Sequence, residues 1–270
     1  MKKTAKVALI ISILVILSFQ SFAVTAKEYD KPVLLSDDIE EGIITVEIPE
    51  QLDNDYKVMV KKEDTTYFYG ISEGSSSENF PLQMGNGEYN VAILEKIEGN
   101  NYKFVQKEDI VVDIEDENKV FLNSIQYIDW DEEDRITRAA KLIDRLGRSD
   151  EQKIEQIHKY VLRIMRYDYE KAENIQSGYV PDLDELFSEK KGICFDYSAI
   201  FAAMARSIGI PAKIIMGDTD NVNGYHAWNE VYIEGTWLVI DATYDSIAQA
   251  KGYDTSMYKD STKYFAKKEY

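Results

Sequence analysis

The spacing of apolar residues changes once along this chain, near Asp129. From residue 27 to about residue 120 the period is two. Ile43, Ile44, Val46 and Ile48 mark residues 42–48; segments 56–60, 66–71, 87–97, 102–105 and 110–114 follow, with Tyr89, Val91 and Ile93 in 87–97. That period sends alternate side chains to opposite faces of a strand. Turn formers separate the segments at 53–55, 73–77, 85–87 and 99–101. Short, regularly spaced strands without a helical period predict a small, Ig-like β-sandwich over 27–124.

Beyond Asp129 the period becomes helical. Ile136, Ala139, Ala140, Ile143 and Leu146 predict a helix over 131–146, closed by Gly147. Ser149 and Gln152 have the spacing of a capping box. They open a second helix with Ile154, Ile157, Val161, Ile164 and Met165 on one face, and His158 beside that stripe reads as a surface or boundary position. Residues 167–184 read as a loop. Cys194, Tyr197, Phe201, Met204 and Ile208 then mark a third amphipathic helix, with Gly192 as a flexible entry and Gly209 and Pro211 as the stop. A strand over 212–216, a polar loop and two strands over 225–233 and 236–243, joined by Glu234-Gly235, complete the pattern. The expected fold class is α+β, with a helical and sheet unit over 125–270 behind the all-β unit.

Composition alters this picture at the ends and in charge. Residues 1–26 carry Lys2, Lys3 and Lys6, an apolar run over 7–19 and small-residue cleavage sites ending at Ala23 or Ala26. This is the pattern of a secretion signal, and the run is short for a bilayer span of about 20 residues. Uncleaved, it would be an N-terminal anchor. The net charge is −18 over 270 residues, and losing the leader removes lysines only. Nucleic acid and anionic lipid are poor partners for such a surface. The acid clusters at 37–41 and 113–117 read as solvated turns. A single cysteine forms no internal disulfide, and one cysteine with two histidines makes no cysteine-rich zinc site. No cofactor is expected.

The lone cysteine then becomes the point of interest. Cys194 falls in the first turn of its helix, where N–H groups are unpaired and the macrodipole is positive, a setting that favours thiolates. A buried, inert thiol is the competing reading. The hairpin weighs between them. If Glu234-Gly235 is a two-residue turn, Ile233 pairs with Thr236, Trp228 faces Asp241 and His226 faces Thr243. His226 and Asp241 are then diagonal neighbours on one sheet face, within reach of a hydrogen bond. Nucleophile, proton carrier and orienting carboxylate make a cysteine triad: Cys194, His226, Asp241.

Four motifs stand in order: Gly192-Ile-Cys-Phe-Asp-Tyr-Ser, Gly209-Ile-Pro-Ala-Lys, His226-Ala-Trp-Asn-Glu-Val-Tyr and Trp237-Leu-Val-Ile-Asp-Ala-Thr. Over about residues 130–245 they resemble the transglutaminase-like superfamily, and within it the secreted bacterial transglutaminase-domain proteins. The resemblance implies a papain-like α+β core, with the cysteine helix packed on an antiparallel sheet. By position it makes Cys194 the nucleophile, His226 the base and acid, and Asp241 the orienting acid. It implies attack on a carboxamide or peptide carbonyl, a thioester, and resolution by a lysine amine or by water, with protein or peptide as substrate. The animal enzymes place a tryptophan upstream of the cysteine to help hold the oxyanion. No tryptophan lies between Trp130 and Cys194 here, so Tyr167 or Tyr179 is the expected replacement, and the groove is expected around Tyr167, Tyr179 and Trp228. The calcium dependence of animal members transfers by no motif. The alternative is a catalytically silent binding or scaffold protein whose β unit meets a cell-surface or cell-wall partner.

Overall fold

A computed structural model describes residues 31–72, 74–146 and 149–270. The leader expected over 1–26, with its cleavage sites, and the helix stop expected at Gly147 lie outside the described residues.

The all-β half runs β1 (Val33–Leu35), β2 (Ile43–Glu47), β3 (Tyr56–Lys62), β4 (Thr65–Gly70), β5 (Ser77–Pro81), β6 (Gly87–Glu98) and β7 (Asn101–Val112). Two antiparallel sheets form, ordered β1-β2-β5 and β4-β3-β6-β7. Their inward residues, among them Ile44, Val46, Phe80, Val58, Val60, Val91 and Ile93, are buried in one core. Two details differ from the sequence expectation. Ser77–Pro81 is a strand rather than the end of a turn, pairing along β2 from Ile43↔Pro81 to Glu47↔Ser77. Segments 102–105 and 110–114 belong to one strand, β7, whose register shifts where Ile93↔Gln106 gives way to Leu94↔Phe104. The extra residue there, Val105, forms a bulge that breaks the alternation.

The second half runs α1 (Arg135–Asp144), α2 (Asp150–Ile164), β8 (Arg166–Tyr167), α3 (Tyr169–Asn174), α4 (Leu183–Glu189), β9 (Lys191–Gly192) and α5 (Cys194–Arg206). β10 (Ala212–Thr219), β11 (Val222–Ile233), β12 (Thr236–Ile240), α6 (Ala242–Ala250) and β13 (Tyr264–Glu269) follow. The Ser149/Gln152 capping box forms at the start of α2. The expected loop over 167–184 instead holds α3 and the start of α4, capped by Asp168 and Asp182. The sheet order is β12-β11-β10-β13.

α5 is the hub. It is not amphipathic: every residue from Phe195 to Arg206 is buried. It packs against α1, α2, α4 and α6 and against strands β10 and β11. A helix apolar all round belongs inside a core. Its last residue, Arg206, is buried with no carboxylate partner among the described residues. The guanidinium donates from Nε to Ala212 O (2.8 Å), from Nη1 to Asn123 O (2.7 Å) and from Nη2 to Tyr270 O (3.0 Å). Burial pulls its pKa down to about 9. Tyr127 joins the halves: its ring meets Tyr69 at 5.6 Å, Tyr270 at 4.8 Å and Phe195, next to Cys194, at 5.3 Å. No helix among the described residues is long and apolar enough to cross a membrane.

Candidate active site

Cys194 is the first residue of α5 and is partly exposed. The chain arrives through β9, which pairs in parallel with β8 (Tyr167↔Gly192). Asp196, two residues into the helix and fully buried, fixes this start. Its Oδ2 accepts the Ile193 N–H at 2.8 Å and pairs with Lys171 Nζ at 2.8 Å; its Oδ1 accepts the Tyr179 hydroxyl at 2.6 Å. Gly192 is required for space rather than for flexibility. A Cβ there would lie 2.6 Å from Asp196 Cβ and 2.8 Å from its Oδ2. Tyr179 thus supports Asp196, and it is not among the residues lining the cleft beside His226. Lys171 Nζ bonds its oxygen at 2.6 Å.

β11 and β12 pair in the expected register, from Ile233↔Thr236 to Asn229↔Ile240. The strand ends at Ile240, so the expected pairing of His226 with Thr243 does not occur; Thr243 lies in α6. Asp241 is the N-cap of α6. Its Oδ1 accepts the Tyr244 N–H at 2.9 Å, and this carboxylate cap ends the strand. The other oxygen, Oδ2, accepts His226 Nε2–H at 2.9 Å and the Tyr264 hydroxyl at 3.1 Å. Asp241 is wholly buried and His226 is 4% exposed. With Nε2 committed to Asp241, Nδ1 is the free ring nitrogen, and Cys194 is close enough to interact with the ring electrostatically. Burial alone would lower the imidazole pKa. The bond to Asp241, then Cys194, overrides it and raises the pKa to about 10.

His226 stacks at 6.4 Å on Trp228, which is 1% exposed and packed on Tyr264 at 5.0 Å. Trp228 thus backs the histidine and does not line a groove. The body of α5 lies on the opposite face, where Asn229 Nδ2 donates to Ser198 O at 3.0 Å. Its first residue, Cys194, reaches His226 even so. Tyr167 does border the site. It lines a cleft with His226 and interacts with Cys194. Burial first, then Cys194, raises its pKa to about 12, so its phenol keeps a proton to donate.

Several contributors escaped the sequence reading. Asp196 had a legible signal, an acid at the third helical position. Tyr264 had none, because β13 brings it to Asp241 from 23 residues away. His158 is buried, contrary to its reading as a surface or boundary position. Its Nε2–H donates to Asp245 Oδ2 at 2.8 Å, while Lys259 Nζ holds Oδ1 at 2.5 Å. This buried trio ties α6, and hence its cap Asp241, to α2 and to the segment before β13.

The family model described as the transglutaminase-like superfamily matches residues 137–242. Residues 137–242 are a transglutaminase-like domain. That span holds Cys194, His226 and Asp241. Among solved structures, one titled a TGase is 24% identical over 40% of this chain and 30% of its own, with a TM-score of 0.32. The periplasmic domain of TgpA from Pseudomonas aeruginosa is 12% identical over 83% of this chain and 99% of its own (TM-score 0.41). A putative cysteine protease from Cytophaga hutchinsonii is 16% identical over 79% and 72% (TM-score 0.39). This chain thus spans under a third of the TGase it resembles. No curated protein matches it.

Proposed function

We propose that this transglutaminase-like domain is a secreted, cysteine-dependent acyl-transfer enzyme acting on protein or peptide amides. The observation that carries the reading is a buried carboxylate on His226 Nε2 (2.9 Å), with the partly exposed Cys194 near enough to help raise the pKa of the same ring. A structural histidine could take any acceptor. One oriented by a buried aspartate towards a helix-start cysteine has the donor, acceptor and charge pattern of a nucleophile pair.

In this reading the Cys194 sulfur attacks the carbonyl carbon, and the electron pair moves to oxygen. The Cys194 backbone N–H and the Tyr167 hydroxyl are the proposed donors to that oxyanion. Imidazolium at His226 gives its proton to the departing ammonia or amine, leaving a thioester. Neutral His226 then takes a proton from a lysine amine or a water as either attacks, and sulfur departs. Asp241 holds the ring and stabilises its charged form. The partner is a protein or peptide, and the β unit over 27–124 is the proposed contact with a cell-surface or cell-wall component.

Alkylation tests the reading. Iodoacetamide should label Cys194 at mildly acidic pH, and His226→Ala should slow labelling sharply. A folded wild type whose thiol is inert would leave the silent scaffold instead. A glutamine-peptide library with a labelled primary amine then separates transfer, read as amine incorporation, from hydrolysis, read as ammonia release or cleavage.

A further inference from the structure

Beside His226 lies a cleft of about 340 Å³, large enough for a side chain and its neighbouring groups. Tyr167, Val222, Tyr244, Ile247 and Ala248 give it mainly apolar walls, and the charged group on its lining apart from His226 is Lys251. Lys251 is exposed and forms no ion pair among the described residues. Many lysines elsewhere in this half are paired (Lys153, Lys171, Lys191, Lys213, Lys259 and Lys267 each meet a carboxylate within 3.0 Å), and of those that form no ion pair among the described residues, Lys190, Lys251, Lys263 and Lys268, it is Lys251 that lines this cleft. In a chain of net charge −18, an ammonium without a partner at the rim of an apolar cleft is a place for an incoming anion.

We propose that this cleft binds a peptide segment presenting an apolar side chain next to a carboxylate, with Ile247, Tyr244 and Val222 around the side chain and Lys251 as the carboxylate's partner. The proposal rests on the acyl-transfer reading for its direction, since the bound segment adjoins the carbonyl offered to Cys194. It excludes segments with a lysine or arginine at that place, because Lys251 would repel them inside a largely apolar site.

Two alkylating probes test it: N-chloroacetyl-leucine and N-chloroacetyl-leucinamide. Both carry the same apolar side chain and lose chloride to the thiolate, and they differ by one negative charge. Each rate is divided by that of iodoacetamide, which is uncharged and too small to use the walls. In the wild type the acid should react about two- to five-fold faster than the amide, the size of one favourable surface ion pair. In Lys251→Gln the acid/amide ratio should fall by about that factor. The imidazolium attracts the acid in both proteins, so that contribution cancels between them. N-chloroacetyl-glycine should react more slowly than the leucine acid, and Ile247→Trp should abolish that difference. Equal wild-type rates, or an acid/amide ratio that Lys251→Gln leaves unchanged, would overturn the proposal. If iodoacetamide itself fails to label Cys194, the nucleophile reading falls separately. Saturation-transfer NMR with N-acetyl-leucine and N-acetyl-leucinamide then decides the cleft. Loss of the acid's advantage in Lys251→Gln supports it, and no advantage in the wild type refutes it.

Discussion

Replacing Asp241 by asparagine isolates the charge that holds His226 protonated. The side-chain amide in Asp241→Asn keeps an oxygen for the Tyr244 N–H, so the cap on α6 survives, but the negative charge facing His226 Nε2 is gone. The size of the effect follows from the order of the forces on the ring. Asp241 contributes more than Cys194, both as hydrogen-bond acceptor and as charge, and the two together lift the pKa from 6.5 to about 10 against burial. Its loss should bring the midpoint down from about 10 toward the ordinary 6.5, each pH unit of fall being about 1.4 kcal/mol of lost preference for the charged ring. The sign for stability is fixed by the same numbers. A histidine whose folded pKa lies above 6.5 stabilises the fold below pH 6.5, and that contribution is lost as pH rises through about 10. In the variant the loss should come at lower pH. With two histidines in the chain, ring 15N–1H spectra resolve each titration directly, and urea melts at pH 6 and pH 9 read the linkage. A midpoint in Asp241→Asn within one pH unit of the wild type would refute this account of the site.

Tyr264→Phe removes one of the two side-chain donors to Asp241 Oδ2 and should cost about 1.5 kcal/mol in urea unfolding, the worth of a bond to a charged acceptor. Gly192→Ala forces a Cβ onto Asp196, and should slow iodoacetamide labelling of Cys194 by displacing the carboxylate that fixes the start of α5. Arg206→Met strips the Ala212, Asn123 and Tyr270 carbonyls of their buried donor and should destabilise the chain by about 3–5 kcal/mol in denaturant. Tyr167→Phe should leave labelling by iodoacetamide intact while lowering kcat on a turned-over peptide by about 10²-fold, as loss of an oxyanion donor does.

The sequence by itself determined what depends on neighbours in the chain. Period-two alternation placed β2, β3, β4 and β6, Ser149 with Gln152 placed the start of α2, and Glu234-Gly235 fixed the β11–β12 register. That register, with the position of Cys194 before an apolar run, was enough to bring forward Cys194, His226 and Asp241 as candidates. The bulge in β7 and the edge strand β5 were hidden because neither keeps the alternation. Tertiary structure alone decided the rest. It buried α5 on all sides, which no single stripe shows, and turned Tyr179 and Trp228 from groove residues into supports for Asp196 and His226. It paired His158 with Asp245 across 87 positions and brought Tyr264 to Asp241. These contacts come from packing helices around α5 and adding β13 to the sheet edge. A buried carboxylate must find donors wherever the fold supplies them, and chain order does not record where that will be.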